Sequence, residues 1–403
     1  MRGFSASSVL VTRLFGSRVV GAVGVMGFVF MAAWTLVSCT DGPLGLDGSP
    51  AVVPPISTRL ALREGQACVL PLDSIPVCWG SGGVMRMISS DSARFIGLSG
   101  GVQHICGISA DSSAYCWGRN GFGQLGDGTF EHRDRPVKVV GARKFVAVAG
   151  ATTSSCALDA GGALWCWGSN ERGGLANGDW GADQVVLTPR RARTSIRFVD
   201  LSGDCALGVG GLGYCWSTLR GAVLLFPFHR EPGNCTDQYW PLYEGRECLV
   251  PTTVDRARRF VQHAGCWLGE GGAMYCTGEG DLGHLGDGRS GAGVIALRPV
   301  AVAGGHSFVT GSGRCAIDDG GVLFCWGSNA LGRLGIGEDG GFRAVPTPVA
   351  SGERFVEVAA LLNHCARTAV GAVWCWGSNA NGELGPGFVG ARSNVPVLVT
   401  LPD

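Results

Sequence analysis

The 17 cysteines of this 403-residue chain form a pattern that sharply restricts how it can fold. A spacing of ten recurs seven times, at Cys68 and Cys78, Cys106 and Cys116, Cys156 and Cys166, Cys205 and Cys215, Cys266 and Cys276, Cys315 and Cys325, and Cys365 and Cys375. Cys235 and Cys248 make an eighth, differently spaced pair, and Cys39 stands alone. Zinc sites set a close C-x2-4-C pair near a second one or near histidines, and a redox site shows C-x-x-C. Neither pattern occurs here. The pairs therefore read as eight disulfides in a chain that folds outside a reducing compartment, with no metal and no cofactor expected.

Each ten-residue pair reads as a β-hairpin. In Cys156–Cys166, pairing 156 with 166, 157 with 165 and 158 with 164 leads into a tight turn holding glycine, which supplies the left-handed position the turn needs. Cysteines directly opposite on antiparallel strands stand close enough to be bridged. Side chains alternate along a strand, so Cys166 points to one face while Trp165 and Trp167 point to the other. The same aromatic-Cys-aromatic triplet recurs at Tyr115 to Trp117, Tyr214 to Trp216, Phe324 to Trp326 and Trp374 to Trp376. Recurrence at one strand position in blade after blade is how core packing looks, so the aromatics are expected to fill one inter-blade layer and the disulfides the other.

Aligned on these pairs, the chain shows a unit of about fifty residues, a period typical of propellers and solenoids. A unit opens with a basic-Phe-aliphatic strand such as Arg94-Phe95-Ile96, Lys144-Phe145-Val146 or Arg354-Phe355-Val356. The cysteine hairpin follows, then a Gly-rich loop such as Gly123 to Gly128, then a Pro-aliphatic strand such as Pro136 to Val139. Four short strands repeated seven times predict an all-β fold, a seven-bladed β-propeller of four-stranded antiparallel blades with one disulfide in each. The 68 glycines and the 16% share of charged residues suit many short strands and tight turns.

The strings Cys116 to Thr129 (CWGRNGFGQLGDGT), Cys325 to Gly337 (CWGSNALGRLGIG) and Cys375 to Gly387 (CWGSNANGELGPG) resemble repeats of the regulator of chromosome condensation family. The likeness spans roughly residues 56 to 403 and fades in the first and fourth units. It implies a seven-bladed propeller, in agreement with the count above. The family's founding member is a nucleotide-exchange factor for a nuclear GTPase that binds chromatin. The export features and paired cysteines of this chain are closer to secreted bacterial relatives, one of which inhibits β-lactamases by binding across its face. The resemblance thus permits protein recognition as a use of this fold.

Residues 1 to 18 carry three arginines, and Val19 to Ser38 has no charge, as in an export signal. The ending Leu36-Val37-Ser38-Cys39 resembles the lipobox of bacterial lipoproteins, in which the cysteine becomes the lipidated N-terminus. An uncleaved membrane span over Val19 to Val37 is the alternative. The domain plan is a signal peptide at 1–38, a Gly- and Pro-containing tether at 39–55 and the propeller at 56–403, with an insertion at about 224–250. The chain is placed in the bacterial cell envelope, held by a lipid at Cys39 on the extracytoplasmic side of the outer membrane or at the cell surface. Without residues 1–38, which hold Arg2, Arg13 and Arg18 and no acid, 29 basic residues face 32 acidic ones, a balance of 29 − 32 = −3. That gives no footprint for nucleic acid.

Gly-Asp-Gly loops at Asp127 and Asp287 lack the Lys-Ser/Thr of a P-loop and the spaced acids of a calcium loop, and read as blade turns. His104, His263, His306 and His364 sit at different offsets from their cysteines and read as structural. No Ser-His-Asp or Cys-His arrangement stands out, so no catalytic residue is assigned. The repeat breaks once, between Cys205 and Cys266, where an insertion holds Phe226, Phe228, Arg230, Tyr239, Trp240 and Tyr243, closed on itself by Cys235 and Cys248. Long loops in compact folds are usually functional or disordered, a disulfide excludes the second for much of this one, and Tyr, Trp and Arg are enriched at interface hot spots. These six residues are the candidate ligand-binding set, against the alternative of a lid over an apolar blade edge. The expected function is a monomeric binding scaffold for a protein or glycan and not an enzyme. The alternative is a propeller hydrolase or lyase acting on envelope polysaccharide.

Overall fold

In the computed structural model the described residues are 58–216 and 252–401, save 82, 172 and 179–183. They form seven four-stranded antiparallel sheets, each from four consecutive strands. Blade 2 is typical, with strands Phe95–Gly100, His104–Ser109, Ala114–Gly118 and Arg133–Lys138 in that order across the sheet. The first strand of every blade lines a central channel, so the sheets stand side by side around an axis as the repeat count predicts.

The hairpin register is the expected one. Cys156 faces Cys166, Ala157 faces Trp165 and Leu158 faces Leu164, and Gly162 at the turn has φ 74°. All seven ten-residue pairs are bonded, with Cα–Cα separations of 4.0 to 4.6 Å. Such closeness belongs to the non-hydrogen-bonded pairs of an antiparallel ladder, the closer of its two pair types. Cys235 and Cys248 lie outside the described residues.

Each blade shows its disulfide on one face and its aromatics on the other, so every joint sets the disulfide of one blade against the aromatics of the next. Between blades 2 and 3, Cys106 and Cys116 share a buried cluster with Phe145 and Trp167. Between blades 5 and 6, Cys266 and Cys276 meet Phe308 and Trp326. Blade 5 departs from the triplet, with Thr277 following Cys276, and Trp267 on its second strand fills the joint to blade 4 instead. Truncating a buried aromatic of this size costs about 3 to 5 kcal/mol.

A second contact repeats at the joints. The indole N–H of the tryptophan after the second cysteine donates to a loop carbonyl of the preceding blade: Trp167 to Gln124 (2.9 Å), Trp216 to Gly174 (3.3 Å), Trp376 to Arg333 (2.9 Å) and Trp79 to Glu383 (2.8 Å). Each acceptor is the second residue of a Gly-x-Leu loop. The Trp79 bond spans blades 7 and 1, whose joint also buries Leu60, Trp79, Cys365, Cys375 and Leu384. Among the described residues no strand is exchanged there. Instead Glu357 on the first strand of blade 7 accepts the backbone N–H groups of Arg59 (2.6 Å) and Leu60 (2.8 Å) on blade 1.

Candidate functional site

Antiparallel order places two kinds of connection at one end of the ring: the turns from first to second strands and the loops from third to fourth strands. The hairpin turns and the blade-to-blade links lie at the other end. The first may be termed the loop end. In blade 4 the third strand, Gly213–Cys215, and the fourth, Thr252–Thr253, are cut to three and two residues. The stretch between them contains the insertion, which therefore leaves and re-enters the propeller at the loop end. Phe226, Phe228, Arg230, Tyr239, Trp240 and Tyr243 lie outside the described residues, as does Cys39.

The loops themselves are built from the inside. Asn120, Asn170, Asn329 and Asn379 each accept the N–H of the loop leucine five residues on, at 2.9 to 3.1 Å. That side-chain bond folds the Gly-rich segment back over the next blade. Gly126 and Gly335 have φ near 70°, and a Cβ at either would lie within 2.7 Å of the indole nitrogen of Trp167 or Trp376. Asp127 accepts from the Thr129 backbone (3.0 Å), the Thr129 hydroxyl (2.8 Å), Asn120 (3.1 Å) and Arg133 (2.9 Å). Its carboxylate is thus committed to its own turn.

The channel encloses about 1050 Å³. Its wall is mostly aliphatic and glycine, and among the described residues Asp200 and His263 are its only titratable groups. Both belong to the joint between blades 4 and 5. Asp200 accepts the backbone N–H groups of Leu201 and His263, yet burial outweighs them and raises its pKa. Burial lowers His263 to about 4, and its ring packs on Trp267 at 4.4 Å while bonding to the Ser202 backbone. Sequence reasoning missed Asp200 and Glu357. Both occupy one repeat column, two residues after the strand-opening Phe198 or Phe355, a column that reads Gly97, Ala147, Gln262 and Thr310 in other blades.

His104, His306 and His364 are packing groups. His104 is fully buried, bonds Ser155 Oγ at 2.7 Å and is held at about 3 by desolvation. His306 packs on Phe324 at 4.3 Å. His263 and His364 each lie near two sulfurs, Cys205 with Cys215 and Cys315 with Cys325, but those sulfurs are bonded to one another and offer no thiolate to a metal.

Within this geometry the comparisons are specific. The regulator of chromosome condensation (RCC1) repeat matches at residues 95–124, 111–158 and 320–366. The structure of Prp20p from Saccharomyces cerevisiae, described with its binding to Gsp1p and histones, superposes with a TM-score of 0.68 at 18% identity, covering 82% of this chain and 87% of that one. The same yeast protein bound to Kap60 gives 0.65 at 18% identity, covering 81% and 83%. No curated protein matches by sequence.

Proposed function

We propose that this propeller of regulator of chromosome condensation repeats is an exported cell-envelope scaffold that binds a protein or glycan at its loop end. The observation that carries the reading is positional. The one long insertion, rich in aromatics and arginine by sequence, falls between the third and fourth strands of blade 4, at the end where the blade loops gather. Protein recognition is also a documented use of the fold, since Prp20p binds Gsp1p and histones. In this reading Cys39 carries the lipid and the body of the chain faces outward from the membrane.

A propeller hydrolase would need two carboxyls, or a histidine with a carboxylate, at one mouth of the channel. Asp200 and His263 are such a pair in kind, but the hydrogen bonds of both go to backbone groups of the joint. The binding reading is therefore favoured. Its test is affinity capture from an envelope extract with the wild-type chain and with Trp240→Ala/Tyr243→Ala. Loss of the captured partner with an unchanged melting temperature is expected, because truncating exposed anchors removes affinity and not core packing. A lower melting temperature with capture intact would make the insertion a structural lid and overturn the assignment.

A further inference from the structure

We propose that blades 5, 6 and 7 form an oxyanion-binding site at the loop end, in which Arg314, assisted by His284 and Arg333, holds a carboxylate or phosphate group. The site emerges from comparing joints. At the joints after blades 2, 3, 5, 6 and 7 the second residue of the Gly-x-Leu loop is set against the residue preceding the first cysteine of the next blade. Between blades 2 and 3 these are Gln124 and Ser155, between 3 and 4 Gly174 and Asp204, and between 7 and 1 Glu383 and Ala67. Among the described residues, two adjoining joints set basic groups on both sides, His284 with Arg314 and Arg333 with His364.

The groups converge because glycine leaves them room. A Cβ on Gly327, whose φ is 90°, would lie 2.8 Å from His284 Cδ2 and 3.0 Å from Arg314 Cδ, so the ring and the guanidinium stem flank one point. Arg333 is held from behind, since its carbonyl accepts the indole of Trp376 at 2.9 Å and a bond from His364. Its Nε donates to the Ala330 carbonyl at 3.1 Å. Among the described residues Arg314 makes no side-chain hydrogen bond or ion pair, though it keeps access to solvent. The one carboxylate that acts on it, Asp281, stands 3.5 Å from His284 Nδ1 and accepts the Leu282 N–H.

The Arg314 guanidinium and the His284 imidazole thus share one acid, and the Arg333 charge adds to the positive side. Lost solvation lowers the pKa of both arginines, and for Arg314 the neighbouring charge of Arg333 adds to it. Like charges drawn together at a partly desolvated joint repel unless an anion joins them. The planar fork of arginine suits an oxyanion with two acceptor oxygens. The proposal does not depend on the insertion, so its failure and the failure of the scaffold reading are separable.

The test is titration of the intact chain with inorganic phosphate and, in a second arm, with succinate, at constant ionic strength set by chloride, followed by calorimetry and by thermal shift. Saturable binding in either arm is expected, and the stronger arm identifies the phosphate or carboxylate chemistry. Arg314→Gln should weaken it about tenfold to a hundredfold, the loss of a charge-assisted hydrogen bond. Arg298→Gln, an exposed arginine on the fourth strand of blade 5, should leave it unchanged. Should Arg314→Gln fold poorly, His284→Gln provides the second probe, with a smaller loss expected. No saturable binding in either arm, or binding that survives Arg314→Gln and His284→Gln undiminished, overturns the proposal.

Discussion

The joint between blades 7 and 1 is where this ring should open first, and Glu357 is the residue that decides it. Other propellers often close by sharing a blade between the two chain ends, but here each blade is made of consecutive strands and closure is non-covalent. Glu357 Oε1 receives the N–H groups of Arg59 and Leu60 at 2.6 and 2.8 Å, and Oε2 receives Arg367 Nε at 2.9 Å, with the carboxylate side chain only 12% exposed. Glu357→Ala strips all three donors of their acceptor. A buried donor left unpaired costs about 1 to 3 kcal/mol. Leu60 is 3% exposed and feels most of that, whereas Arg59 and Arg367 keep some access to water. A net loss of about 3 kcal/mol follows, the low end of what breaking a buried ion pair costs. With an unfolding entropy of about 2.1 cal/mol/K per residue, a domain of roughly 340 residues loses about 4 °C in melting temperature.

Hydrogen exchange localises the effect better than melting does. The amides of Leu60–Arg63 and Gln66–Val69 should exchange about a hundredfold faster in Glu357→Ala, while those of Ser154–Leu158 in blade 3 keep the wild-type rate. Glu357→Gln retains an acceptor oxygen for the two N–H groups and loses only the charge facing Arg367, so it should sit between the two. Equal protection of blade 1 in the alanine variant and wild type would refute closure through this carboxylate and leave the burial of Leu60 and Trp79 as its whole basis.

Three further outcomes are expected. Asp200 has a raised folded pKa, so its contribution is favourable below the unfolded value near 3.9 and is lost as pH rises through the folded one. Asp200→Asn should therefore gain in melting temperature over wild type between pH 4 and pH 7, and a difference that is flat with pH would disprove the burial penalty. Thiol titration of the denatured, unreduced mature protein should find no free cysteine, and two or more would break the pairing scheme. Cys39→Ser should abolish lipid labelling and shift the protein out of the membrane fraction; an unchanged fraction would instead support a membrane span at Val19 to Val37.

The repeat was legible in the sequence because its physical requirements recur at fixed offsets. A hairpin bridge needs cysteines ten apart, a joint needs an aromatic beside the second of them, and a turn over an indole needs Gly126 or Gly335. What recurs less often was less legible. Trp267 replaces a missing triplet aromatic from the neighbouring strand, a substitution visible only once Trp267 and Tyr275 are seen to face each other across strands. Asp200 and Glu357 stand in a column that is small or neutral elsewhere, and nothing in their local sequence marks them as inter-blade acceptors.

The loop column shows why chemistry can vary here without disturbing the fold. The joint uses the backbone carbonyl of that position to receive an indole, as at Gln124, Gly174, Arg333 and Glu383. A carbonyl is common to every residue, so the side chain is under little demand from the latch itself. Glutamine, glycine, histidine, arginine and glutamate all occupy it along one chain. At Gln124 the side chain turns back to receive the Phe122 N–H at 3.0 Å, and at Glu383 it receives the Asn381 N–H at 2.7 Å. The Arg333 guanidinium has no acceptor for such a bond and its Nε donates to the Ala330 carbonyl, while the His284 ring lies beside the Arg314 stem of the next blade. A propeller closed through backbone acceptors thereby presents at its loop end a set of side chains that can be exchanged one at a time, and the joints of blades 5 to 7, which hold Arg314 and Arg333, are where that exchange has gone furthest from neutral packing.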